Sequence, residues 1–149
     1  MIWIAIVVGL VIFAGWRAMN MSAATGHAPK PVVFAGDVRL DDAIARSAAE
    51  GKPVLALATA DWCGPCQALK RGALSDERVA TLINERMIAV YVDVDAYPDE
   101  ARMLGASSIP TTYLIRDGEI ADRTTGVLGA RQYLAWLEGT LEAPAAAGG

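Results

Sequence analysis

The chain carries two thiols, Cys63 and Cys66, and no others. Their Cys-x-x-Cys spacing suits the making and breaking of a disulfide between near neighbours. One of the two must ionise for that chemistry, because the thiolate is the attacking species. A helix N-terminus favours ionisation, since its first N–H groups lack intrahelical partners and its dipole is positive there. Three residues are about one helical turn, so Cys66 can reach Cys63 and close or open a small ring. Zinc needs four ligands, and one cysteine pair with the remote His27, the only histidine, cannot supply them. Two further readings of the pair stay open. An iron–sulfur cluster could be held between two copies, or the disulfide could be merely structural, although so small a ring constrains little chain.

The surrounding pattern supplies the elements that such a pair requires. Val54–Thr59 is a continuous apolar run, the mark of a strand buried on both faces. A helix follows from Cys63 to about Leu74, with Gly72 placed to bend it. Ser75 then reads as an N-cap, with Asp76 and Glu77 in the first turn and Val79, Leu82 and Ile83 as the apolar stripe. Upstream, Asp41 to Glu50 reads as a helix stopped by Gly51, and Val32–Phe34 as a short first strand. Downstream, Met87 to Val94 reads as a second buried strand, and Pro98 opens a short helix that ends at Gly105. Thr111–Arg116 and Glu119–Thr124 flank Asp117-Gly118, a strong hairpin signal. A last helix from about Ala130 to Leu141 presents Ala130, Leu134, Leu137 and Leu141 as its buried face. The order βαβαββα predicts an α/β fold with a mixed central sheet flanked by helices.

At 149 residues the chain is long enough for one domain with its own core and something extra. The formal net charge of −4 argues against a phosphate-binding surface, and no nucleic-acid partner is expected. Much of the 54% apolar content lies at the front, where Met1 to Trp16 is uncharged. Continued to residue 20, that run reaches the length of a transmembrane helix, with Trp3 and Trp16 near its ends and Arg17 able to snorkel. A cleaved signal peptide is the rival, with Ser22-Ala23-Ala24 as a small-residue site, but the basic leader is missing. Residues 21–36, small, polar and proline-containing, read as a flexible tether, residues 37–142 as the domain, and 143–149 as a disordered tail.

Trp62-Cys63-Gly64-Pro65-Cys66 resembles the thioredoxin active site, and Ser108-Ile109-Pro110-Thr111 resembles that family's cis-proline segment. The likeness spans roughly Asp37 to Glu142. From Leu40 to Asn84 the chain is similar to the C-terminal thioredoxin-like domain of bacterial disulfide-interchange reductases. The resemblance implies a thioredoxin-like fold, which the apolar run at 1–20 would precede as a single N-terminal membrane helix. It implies Cys63 as the exposed nucleophile, Cys66 as the more buried resolving thiol, and Pro110 in cis facing the dithiol beside Ile109. Gly64 would let a substrate backbone approach, and Pro65 would preorganise the first helical turn. Trp62 would cap the motif and meet the partner, with plain packing as its alternative, and Asp61 is a rim acid. Two departures stand out: Leu57 occupies the family's buried aspartate position, and Tyr91 the matching lysine position.

The activity so implied is reduction of protein disulfides, with an upstream dithiol as electron donor, no cofactor and no metal, in a monomer. A disulfide oxidase or isomerase of the same fold is the alternative, as is a tethered binding or chaperone module with an incidental dithiol. Arg17, C-terminal to the span, would keep the domain cytoplasmic by the positive-inside rule. The anchored relatives mostly face the periplasm, and the extracytoplasmic side is favoured.

Overall fold

A computed structural model describes residues 27–143. After a 3₁₀ turn at Val32–Phe34, the elements are α1 (Leu40–Glu50), β1 (Val54–Thr59), α2 (Gly64–Arg71), a 3₁₀ turn (Ala73–Ser75) and α3 (Glu77–Arg86). Then come β2 (Ile88–Asp93), α4 (Pro98–Met103), β3 (Thr111–Arg116), β4 (Glu119–Thr125) and α5 (Ala130–Glu142). The strands form one sheet in the order β2-β1-β3-β4. β1 runs parallel to β2 and antiparallel to β3, and β3 antiparallel to β4. The sheet is mixed, as expected.

Central β1 is buried at every position, and its alternating side chains serve two cores. Leu55 and Leu57 meet Leu69 of α2, Val79 and Ile83 of α3 and Leu137 of α5. Val54, Ala56 and Ala58 meet Leu40 and Ala43 of α1 and Ala101 of α4. Asp117 (φ 53°) and Gly118 (φ 81°) turn β3 into β4, and the two left-handed residues match the strands' twist. α2 stops at Gly72, whose backbone (φ −93°, ψ −103°) lies outside the helical range. A Cβ there would stand 3.0 Å from the Ala68 carbonyl oxygen.

Several expectations need correction. Val32–Phe34 is not a strand. Pro31 precedes a 3₁₀ turn in which the Phe34 N–H donates to the Pro31 carbonyl at 2.9 Å. Phe34 is thereby fully buried, with its ring edge-on to Tyr91 (centroids 5.7 Å apart). The expected tether therefore belongs to the folded unit from Ala28 onward, held by buried Ala28, Val33 and Phe34. β2, left as an edge strand, alternates buried with half-buried residues instead of burying both faces. Asp76, not Ser75, caps α3: its carboxylate accepts from the Arg78 N–H at 3.0 Å, while Ser75 Oγ donates to the Lys70 carbonyl. The Arg78 hydrogen bond holds the Asp76 carboxyl below its usual range. The buried face of α5 centres on Tyr133, Leu137 and Thr140. Ala130, Leu134 and Leu141 flank it half-buried.

Among the described residues no helix is long and apolar enough to cross a membrane. The expected anchor at 1–20 lies outside them, as does all but the first residue of the expected tail.

Candidate active site

β1 ends at Thr59, and Ala60 to Trp62 turn the chain into α2. Cys63 is the N-cap of that helix, with extended backbone (φ −82°, ψ 106°), and its Sγ accepts the Cys66 N–H at 3.2 Å. One of the helix's unpaired donors is therefore aimed at the first sulfur, the arrangement that stabilises a thiolate. Pro65, in the first turn, forfeits no intrahelical bond. Gly64 has open space where a Cβ would stand.

Cys63 and Cys66 form a disulfide, with Cα atoms 5.2 Å apart. Cys66 is 1% exposed, as its expected buried place requires. Cys63, expected to be exposed, is only 5% so. It packs with Ala60 and Cys66 against Val94 and Ile109, and that contact covers it.

The Ile109–Pro110 peptide bond is cis, and the Ile109 carbonyl oxygen lies 3.9 Å from Cys63 Sγ. The segment is tied down on both sides. Gly126 N–H donates to the Pro110 carbonyl at 2.8 Å, and Thr111 Oγ1 donates to the Ser108 carbonyl at 2.8 Å. The fold thus brings residues 46 positions apart to one point.

Trp62 is 68% exposed beside the sulfurs, with its indole N–H donating to Asp95 Oδ2 at 2.7 Å. The Asp61 side chain is 70% exposed, which places it at the rim. Its Oδ1 lies 3.5 Å from Lys70 Nζ, and the Lys70 side chain is 1% exposed. Lys70 Nζ lies over the Tyr91 ring, 5.1 Å from the centroid, and Lys30 Nζ lies 5.3 Å from the same ring. Lys30 also hydrogen-bonds Asp37 and holds that carboxyl below its usual range. Gln67 ties the parts together: its Nε2 donates to the Asp61 carbonyl at 3.0 Å, and its Oε1 accepts the Ala28 N–H.

Leu57 and Tyr91 are cross-strand partners, so no carboxylate stands at either of those two positions. Thr59, on the same sheet face as Leu57, has a buried hydroxyl without a hydrogen-bond partner among the described residues. Sequence reasoning passed over Gln67, Lys70, Thr59 and Asp95. The first two carried a usable signal, since each stands four residues after a cysteine and shares its helix face. Among the described residues no group of three or more His, Cys, Asp or Glu is arranged to hold a metal ion.

Residues 40–140 match the thioredoxin-like domain family. The chain belongs to that family. This thioredoxin-like domain is 35% identical over 91 residues to chloroplastic thioredoxin Y1 of Arabidopsis thaliana, covering 61% of this chain and 51% of the plant protein. It is 38% identical over 93 residues to thioredoxin 1 of Chlorobaculum tepidum, covering 62% and 86%. A thioredoxin from Thermus thermophilus superposes with a TM-score of 0.62 at 24% identity, over 72% of this chain and 89% of the other. The chain thus spans about half the length of the Arabidopsis relative and most of the bacterial ones.

Proposed function

We propose that this thioredoxin-like domain reduces disulfides in other proteins by dithiol exchange through Cys63 and Cys66. The observation that carries this reading is the Cys63–Cys66 disulfide capped on the N-terminus of α2, beside the Ile109 carbonyl. In the reduced domain, the Cys63 thiolate attacks one sulfur of a substrate disulfide and displaces the other as a thiolate. A mixed disulfide joins Cys63 to the substrate. Cys66 loses its proton to water and attacks Cys63 Sγ, which breaks the mixed disulfide and frees the second substrate sulfur. Two electrons have passed to the substrate, its two sulfurs have taken up protons, and the domain holds the disulfide seen here. An upstream dithiol restores it.

Trp62 and the Ile109-Pro110 segment line the approach, and open Gly64 admits an extended substrate backbone. The Gly64-Pro65 insert resembles that of reducing members, which favours reduction over the oxidase or isomerase alternative. The apolar run at 1–20 supports a membrane tether, and the likeness to anchored disulfide-interchange reductases, against the weak bias of Arg17, favours the extracytoplasmic side for the domain. Phosphatase fused after residue 149 is then active in intact cells, and an inactive fusion refutes that placement.

Insulin-disulfide reduction by the reduced full chain tests the activity. Wild type should precipitate insulin, and Cys63→Ser should fall to background. Equal rates for the two would leave a binding module with an incidental dithiol.

A further inference from the structure

Lys70 is a buried ammonium that the exchange reaction just described does not use. Its side chain is 1% exposed, and among the described residues its one hydrogen-bonded acid is Asp61, 70% exposed at the rim. Burying a cation costs free energy unless the surroundings compensate, and one long contact to a solvated carboxylate compensates weakly. The Tyr91 ring face adds a second, modest attraction. Such an arrangement calls for a third group that gains from the charge.

Helix geometry identifies it. Lys70 follows Cys66 by four residues in α2, so the two share a face one turn apart. Long side chains in a helix lean toward its N-terminus and cover the preceding turn. The Asp61 contact shows Lys70 doing so, because Asp61 precedes the helix altogether. The ammonium therefore runs back past Cys66 toward the loop that leads into Cys63. The charged and titratable groups at this end of α2 are Asp61, which contacts Lys70, the Tyr91 ring under the Lys70 ammonium, and Asp95, which accepts from Trp62. Lys30 approaches from the N-terminal segment. Lys30 is engaged by Asp37 and Asp95 by Trp62, whereas Lys70 stands one helical turn from Cys66 on the same helix.

We propose that Lys70 is a positioning residue for the resolving step, its buried ammonium favouring the thiolate of Cys66 in the reduced domain, with Asp61 moderating that charge from the rim. Cys66 then ionises by releasing its proton to water, without a neighbouring carboxylate base, and its thiolate attacks Cys63 Sγ in the mixed disulfide. This rests on the exchange reading for its purpose but not for its test.

The test is thiolate absorbance against pH in the full chain carrying Cys63→Ala, where Cys66 is the only thiol. Adding Lys70→Met, which keeps the length and apolar stem, should raise the Cys66 midpoint by about one unit, a tenfold loss of thiolate at a given pH. Lys70→Arg should restore it. Asp61→Asn should move the midpoint the opposite way, because it removes the charge that offsets the ammonium. A purely structural role predicts no such opposition, so midpoints that stay put or shift together overturn the proposal. If Lys70→Met does not fold, Lys70→Gln takes its place, with the same rise expected and the same opposition to Asp61→Asn required. Insulin reduction by wild type is scored separately, so loss of the exchange reading and loss of this one are distinguishable.

Discussion

The two faces of the sheet are built differently. Against α1 and α4 the core is almost all hydrocarbon: Leu40, Ala43, Val54, Ala56, Ala58, Val90, Val92 and Leu104. Its polar groups are Tyr113, Thr111 at the end of the same strand face and, at the margin, Glu100, which is 2.8 Å from Arg39 and accepts the Leu40 N–H. Against α2, α3 and α5 the core has more large apolar side chains. Polar groups are set among them: Lys70, Gln67 and Thr59 near the sulfurs, and Tyr133 hydrogen-bonded to Thr112 at 3.0 Å. The first face mainly holds the sheet together. The second accepts the cost of burying polar atoms, and it is the face that carries the dithiol helix.

The sharpest way to break this contrast is to remove bulk from the hydrocarbon face. Leu40→Ala should cost about 2–5 kcal/mol of unfolding free energy in denaturant titration. The alkylation rate of the reduced dithiol at neutral pH should stay unchanged. A changed rate would mean that the two faces are not separate in function.

On the polar face, Tyr133→Phe should cost about 1 kcal/mol at neutral pH, the net worth of one hydrogen bond. It should also change the alkaline limb. Burial pushes the Tyr133 hydroxyl well above its ordinary 10.0, with the Thr112 bond pulling partly back. The unfolded phenol ionises near 10.0 while the folded one stays neutral, so the unfolded state binds fewer protons above that pH. The native state's advantage is full below about pH 10 and falls above it by about 1.4 kcal/mol per unit for this group. Denaturation between pH 9 and 11 should therefore be shallower in Tyr133→Phe. Tyr113, raised by burial in the same direction, keeps part of the limb, and an unaltered limb would refute the assignment to Tyr133.

The smallest expected effect is at the mouth. Trp62→Phe loses an exposed hydrogen bond to Asp95 and should change stability by about 0.5 kcal/mol or less. Its signature is a higher KM for insulin with little change in melting temperature. A large loss of stability would place Trp62 in the core rather than at the partner's side.

How much of this was legible varies with how local the cause is. The Asp117-Gly118 hairpin, the helix from Asp41 to Glu50 and the buried run Val54–Thr59 each follow from backbone preference or hydrophobic period within a few residues. Val32–Phe34 is ambiguous in the sequence, because three apolar residues suit either a strand or a turn. Only the neighbouring Tyr91 ring and Pro31 decide between them. Ser75 and Asp76 were equally good caps in isolation. The Ser75 hydroxyl is taken by the Lys70 carbonyl, a contact set by where α2 ends at Gly72.

By itself, the sequence determined the dithiol, its place at a helix start and the strand that leads into it, because spacing and periodicity act along the chain. The tertiary structure alone decided that the Ile109 carbonyl stands 3.9 Å from Cys63 Sγ, that Ala28, Val33 and Phe34 are buried, and that Lys70 is shut away from water. Burial and contact between distant segments depend on how the sheet's two faces are covered, which no local pattern encodes.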